Sequence, residues 1–243
     1  MKLIKLHTTT STNSFLKELS KETRLDNFTV VLTDEQTLGR GQVQQKWQSE
    51  PFNNLTFSVF VSFNDLKIIH QKYLNFAVSS AVFNTLESLD LPKLTIKWPN
   101  DILSDNKKLC GILIENQLKK DKINSSVIGI GLNVNQLIFN ELPDAISLKI
   151  IKQTNFDLDK LLEKIVVNLK NQIRNLAQKN FALLERDYLS SLYKFNKPSM
   201  FRDEINQHLF MGKIVGVSLE GKLQVELEDE LVKDFGLKEI KFL

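Results

Sequence analysis

The chain has 243 residues, 42% hydrophobic and 25% charged, which is ordinary for a globular protein, argues against a disordered chain and is long enough for one large domain or a large and a small one. Its 32 basic and 29 acidic residues leave a net charge of +3 with no run of five like charges, so no nucleic-acid-binding tail is signalled. One cysteine, Cys110, excludes an intrachain disulfide, and no Cys/His cluster has zinc-ligand spacing.

In chain order, Leu3 to His7 alternate and predict a short strand, followed by the polar turn Thr8-Thr-Thr-Ser-Thr-Asn13. Ser11 suits the N-cap of a helix whose apolar face is Phe15, Leu16 and Leu19, and the hydroxyls and amide here are caps or ligand contacts. Phe28 to Thr33 predicts a strand that delivers Asp34, Glu35 and Gln36 to a loop carrying Leu38-Gly-Arg-Gly-Gln42 and ending at Trp47. An arginine flanked by glycines suits the wrapping of an anionic ligand. Leu55 to Phe63 alternates with Phe57, Val59, Val61 and Phe63 on one face, the pattern of a half-buried strand. Tyr73 to Leu89 is apolar at helical spacing and predicts a core helix.

From Leu94 to Trp98 an apolar run ends at Pro99, which cannot donate to a sheet ladder. A second apolar run, Leu109 to Glu115, follows Asp105, Asn106 and two lysines, so the expectation is one hairpin end that gathers Lys97, Asn100, Asp101, Lys107 and Lys108. Cys110, between Leu109 and Gly111, is expected to be a small buried strand residue. Val127 to Val134 is apolar enough for a central strand, and its flanking Asn133 and Asn135 face solvent or a ligand. Leu158 to Leu176, capped by Asp157, and Phe181 to Tyr193 predict amphipathic helices. Near Lys197-Pro198 the composition changes. Short alternating runs at 213–219, 222–227, 231–235 and 238–242 predict a small antiparallel barrel, dividing the chain into domains 1–194 and 195–243. No stretch approaches a signal peptide or a membrane span, so a cytoplasmic protein with no membrane partner is expected.

Of nine glycines, the five before residue 200 lie at Gly39, Gly41, Gly111, Gly129 and Gly131. Glycine is needed where the backbone comes close to a ligand, so these segments, with Lys97 to Asp101, are expected to wall one site.

With those residues in hand, a resemblance is carried by Ser-Thr-Asn at 11–13, Gln-Thr-Leu-Gly-Arg-Gly at 36–41 with Trp47, Lys-Trp-Pro-Asn-Asp at 97–101, Lys-Leu-Cys-Gly-Ile-Leu-Ile-Glu at 108–115 and Gly-Ile-Gly-Leu-Asn-Val-Asn at 129–135. Their order resembles biotin protein ligase over essentially the whole chain. The resemblance implies an α+β fold of the class II aminoacyl-tRNA synthetase-like, biotin/lipoate ligase type: a mixed sheet with helices mainly on one face, plus a small C-terminal SH3-like barrel. It also implies biotin and MgATP as substrates without a tightly bound cofactor, magnesium arriving on the ATP phosphates. The activity implied is biotinylation of a lysine on biotin carboxyl carrier protein through biotinyl-5′-AMP. Such chemistry depends on positioning and on cations placed where phosphate charge develops.

Carried over by motif, Ser11, Thr12, Asn13 and Gln36 bind the ureido ring, and Gly39, Arg40, Gly41, Gln42 and Gly111 complete the biotin pocket. Lys108 bridges the biotin carboxylate and the α-phosphate, with Arg40 as a second catalytic cation. Lys97, Trp98, Asn100 and Asn133 serve the nucleotide. Two departures stand out. Gln42-Val-Gln-Gln45 has neither the glycine nor the second arginine usual in the family's loop, which weakens its expected grip. The sequence also begins at the catalytic domain, so the monofunctional form with no specific DNA binding is expected. Homodimer formation is left open. A lipoate ligase and a non-catalytic module on the same fold are the rival readings; Lys97, Lys108 and Asn133 argue against the second.

Overall fold

A computed structural model describes residues 2–42, 45–140 and 142–243. Its larger sheet has seven strands in the order β1-β2-β3-β7-β6-β5-β4. These are Leu3–Thr9 (β1), Thr29–Gln36 (β2), Leu55–Lys67 (β3), Thr95–Lys97 (β4), Asp101–Ser104 (β5), Lys107–Lys119 (β6) and Lys122–Leu132 (β7). β1 runs parallel to β2 and every other pairing is antiparallel. The fold is therefore the expected α+β class with a mixed sheet, and β7 is its central strand.

Helix Thr12–Glu22 (α1) begins where Ser11, in extended conformation, accepts a hydrogen bond from the Ser14 N–H at 3.4 Å, the predicted cap. It lies on one face of the sheet, with Leu16 against Val31, Phe60 and Val127. The other face carries Gln71–Glu87 (α2), Leu158–Ala177 (α4) and Phe181–Ser190 (α5); the short helix Leu148–Lys152 (α3) adds Leu148 to the same core. In α2 only Gln71, Asn75, Asn84 and Glu87 escape burial. The helix is buried nearly all round because it is wedged between the sheet and two further helices, and its buried positions include Lys72, Ser79, Ser80 and Thr85 beside the apolar ones. Truncating a fully buried residue of this core such as Leu74 to alanine costs about 2–5 kcal/mol.

Two expectations are corrected. β3 is not half-buried: Leu55 to Val61 is buried on both faces, because the odd positions meet the helices while Phe60 packs under α1, Ser58 is covered by Thr12 and Asn13, and Thr56 faces a cavity. The stretch 95–119 is also not one hairpin but a three-stranded meander. Ile102 and Leu103 are buried and extend as β5, so Lys97 opposite Asp101 and Ser104 opposite Lys107 mark opposite ends. A register shift between Ile102 and Leu103 sets Lys108 opposite Leu103, and its side chain reaches back to Asp101.

A second, five-stranded antiparallel sheet comprises Pro198–Asp203 (β8), His208–Val217 (β9), Leu223–Leu227 (β10), Val232–Phe235 (β11) and Ile240–Phe242 (β12), in the order β11-β10-β9-β8-β12. β8 is an additional strand that the alternating runs did not announce, and β11 and β12 are not paired, so the ladder is not closed. The Lys72 ammonium, on α2, donates to the Val217 carbonyl at 3.0 Å and pairs with Glu185 at 2.8 Å, and the Trp98 indole donates to the Gly221 carbonyl at 3.1 Å. These contacts fix the smaller sheet against the larger unit.

Candidate active site

The two-residue period of a strand decides which side chains reach the cavity. Thr56, Gly131, Gly111 and Asp101 stand opposite one another across β3, β7, β6 and β5, and two residues along, Ser58, Gly129 and Leu113 form a second row on the same face. Over these rows lies a cavity of about 210 Å³. Its floor is glycine for a steric reason. A methyl group on Gly129 would run into the Asn13 amide, and one on Gly131 into the Trp47 indole.

One end is neutral and buried. The Gln36 side-chain oxygen accepts from the Thr12 N–H at 2.8 Å and lies 3.1 Å from the Thr12 hydroxyl. Ser58 Oγ is 2.7 Å from Thr12 Oγ1 and 2.6 Å from Asn13 Oδ1. An amide oxygen can only accept, so the Ser58 proton goes to Asn13. Asn13 then donates to the Glu115 carboxylate at 2.9 Å. Ser11, Thr12 and Asn13 are all at most 4% exposed.

The other end is charged and half-exposed. Lys108 Nζ pairs with Asp101 at 2.8 Å, and the Lys46 side chain and the Arg40, Gly41 and Gln42 segment line the same rim, joined by Leu237 and Lys238 from the smaller sheet. Arg40 donates to Glu115 at 2.9 Å, and Lys17 pairs with the other carboxylate oxygen at 3.0 Å. Burial pushes the Glu115 carboxyl up, but hydrogen bonds from Asn13 and Lys17 and the Arg40 charge outweigh it and hold the group below the usual carboxylate range. Glu115 thus ties the neutral end to the charged one. Cys110 lies on the helix-facing side, fully buried; burial pushes its thiol far up, so it offers no thiolate nucleophile.

Of the predicted residues, the structure gathers Ser11, Thr12, Asn13, Gln36, Arg40, Gly41, Gln42, Asn100, Lys108 and Gly111 around the cavity. Asn100 donates to the Ile112 carbonyl. Others stand outside its lining. Gly39 closes the loop by accepting from the Trp47 N–H at 3.0 Å. Lys97 sits 5.2 Å from the centre of the Phe242 ring. Trp98 borders an adjoining cavity of about 330 Å³. The Asn133 amide donates to the Ile146 and Lys108 carbonyls at 3.1 and 3.4 Å, behind Lys108. Val43 and Gln44 of the loop lie outside the described residues. Thr56, Ser58 and Glu115 went unrecognised in the sequence. For Thr56 and Ser58 the signal was the polar residues at even positions of β3 between apolar odd ones, which place hydroxyls on the face away from the helices. Among the described residues no group of three or more His, Cys, Asp or Glu could hold a metal ion, and no helix is long and apolar enough to cross a membrane.

Fold and site define an α+β protein with a cavity that pairs a neutral polar end with a cationic one. Residues 6–133 match the model of the biotin/lipoate A/B protein ligase family, and the chain belongs to that family. The bifunctional ligase/repressor BirA of Bacillus spizizenii is 30% identical over 210 residues, covering 84% of this chain and 63% of the relative. The chain therefore spans less than two thirds of that relative's length. The biotin–[acetyl-CoA-carboxylase] ligase of Mycobacterium tuberculosis is 31% identical over 147 residues, 59% of this chain and 53% of the relative. Among solved structures, biotin protein ligase from Aquifex aeolicus in complex with biotin and ATP superposes with a TM-score of 0.79 at 28% identity, covering 100% of this chain and 98% of that one.

Proposed function

We propose that this protein attaches biotin to a lysine of a biotin carboxyl carrier protein domain, using MgATP and passing through biotinyl-5′-AMP. The observation that carries the reading is the two-ended cavity: a buried neutral network suited to a cyclic urea at one end, and Lys108, with Arg40 on the rim, at the other. The solved relative that superposes over the whole chain holds biotin and ATP, and the Mycobacterium relative bears the name of a carboxylase ligase, which supports a carboxylase carrier as acceptor.

In the first step a biotin carboxylate oxygen forms a bond to the α-phosphorus of ATP, and the bond from that phosphorus to the bridging oxygen breaks to release pyrophosphate. In the second, the neutral amine of the carrier lysine attacks the acyl carbon, AMP leaves, and the nitrogen loses a proton. Neither step needs a protein nucleophile, in keeping with the buried Cys110. Ser11, Thr12, Asn13 and Gln36 bind the ureido ring, and Arg40 to Gln42 with Gly111 enclose biotin, Gly39 closing the loop behind them. Lys108 gives up Asp101 for the carboxylate and α-phosphate, neutralising charge that grows in the transition state. Asn100 serves the nucleotide. Asn133, bonded to the Lys108 carbonyl, holds the lysine in place, while Lys97 and Trp98 serve the nucleotide only if they leave Phe242 and Gly221.

Incubation with biotin, MgATP and a carrier domain, followed by detection of biotin on the carrier, tests this. Covalent labelling with biotin-dependent pyrophosphate release is expected. Release supported by lipoate and not by biotin would overturn the substrate assignment, and no release with either acid would overturn the activity.

A further inference from the structure

Thr56 has no assigned role, yet its hydroxyl is the least explained polar group in the cavity. Its residue is 5% exposed, it lines the cavity, and its Oγ1 is fully buried without a hydrogen-bond partner. Trp47 Nε1 is in the same state. The two are neighbours by register: Thr56 stands directly opposite Gly131, and the Trp47 indole lies over Gly131, its Nε1 2.8 Å from where a Cβ would be. Buried polar groups are nearly always paired, and two adjacent exceptions in one cavity mark a place where something other than the protein completes the bonding. The adjacent hydroxyls behave differently. Thr12 and Ser58 are already engaged with Gln36 and Asn13, so Thr56 is the hydroxyl still available beside them.

We propose that Thr56 Oγ1 hydrogen-bonds the cyclic urea of the bound acid and so helps the site choose a urea-bearing acid over one without it. A hydroxyl can donate to the urea oxygen or accept from a urea N–H, and either bond replaces an unmet one in the empty site. A site that hydrogen-bonds a substrate group rejects analogues lacking it. The inference rests on the biotin reading above.

The test is calorimetric titration of biotin, and of lipoate as an acid with no urea, into wild-type, Thr56→Val, Thr56→Ser and Ser79→Ala proteins. Ser79 is a fully buried, unpartnered serine on α2, away from the cavity, and serves as the control. Thr56→Val should bind biotin on the order of 10-fold more weakly, with lipoate binding unchanged and a Tm equal to or above wild type, since valine removes an unpaired polar group without changing shape. Thr56→Ser should restore biotin binding, and Ser79→Ala should leave it unaltered. Biotin binding by Thr56→Val equal to wild type would overturn the proposal, as would a loss shared with Thr56→Ser and accompanied by a lower Tm. Wild-type protein that failed to bind biotin would instead sink the parent reading and this one with it.

Discussion

The two ends of the cavity are built on opposite principles. At the neutral end, Thr12, Asn13 and Ser58 are buried and, with the half-buried Gln36, hold one another by short hydrogen bonds before any ligand arrives. At the charged end, Lys108 and Arg40 are partly exposed and already occupied by carboxylates, Asp101 and Glu115. The first arrangement is rigid, so it can recognise a shape and a hydrogen-bond pattern at little ordering cost. The second is exchangeable: an incoming anion can take the place of a protein carboxylate, and the cation keeps a partner throughout. On the proposed reading, recognition and chemistry are thereby separated along one small cavity.

The largest effect should come from the charged end. Lys108→Ala is expected to slow biotinyl-adenylate formation by on the order of 10²-fold or more, mainly in kcat, while Lys107→Ala, at the start of β6 opposite Ser104, stays near wild type. Equal losses in the two variants, read from pyrophosphate release, would erase the distinction between the ends. Next comes the neutral end. In Gly129→Ala the new methyl collides with Asn13, and overpacking of this kind costs about 1–3 kcal/mol. Biotin binding should weaken by roughly 10-fold, since 1.4 kcal/mol is a factor of ten. The loss should appear in KM more than in kcat; a variant with normal KM and reduced kcat would show that this end does more than recognise.

Gln42→Arg should act more gently. The Gln42 side chain lies where both cavities meet, and an arginine there can make charge-assisted contacts about twice as strong as neutral ones. Release of preformed labelled biotinyl-adenylate, chased without carrier, should slow by about five-fold with little change in its formation. Identical release rates would remove Gln42 from the clamp. The smallest effect belongs to the joint between the ends. Glu115→Gln keeps the shape but loses the charge that pairs Lys17 and Arg40, and should lower Tm at pH 7 by about 2–4 °C. Because the native Glu115 pKa lies below the ordinary value, its contribution is present above the unfolded carboxyl's pKa and is lost as pH falls through the native one. Melting curves of the two proteins should therefore converge as pH falls below the ordinary carboxylate range; a constant gap would mean that the charge of Glu115 is not what matters.

Local physics was legible in the chain. Ser11 and Asp157 cap their helices as their side chains suggest, β7 is central because a run from Val127 to Val134 is apolar on both faces, and the glycines at 111, 129 and 131 mark a real floor. Those features depend on spacing and on residue shape, which a sequence states directly. What the tertiary structure decided is every pairing between distant segments. Asn13 meets Glu115 across 102 positions, and Lys72 meets the Val217 carbonyl across 145, with no local trace of either. The same holds for contacts that the local pattern does not state. Lys97 and Trp98 meet Phe242 and Gly221 of the smaller sheet, and β3 reads as half-buried until α1 and the cavity cover its second face. Periodicity tells which side chains share a face; only the packed neighbours decide what that face touches.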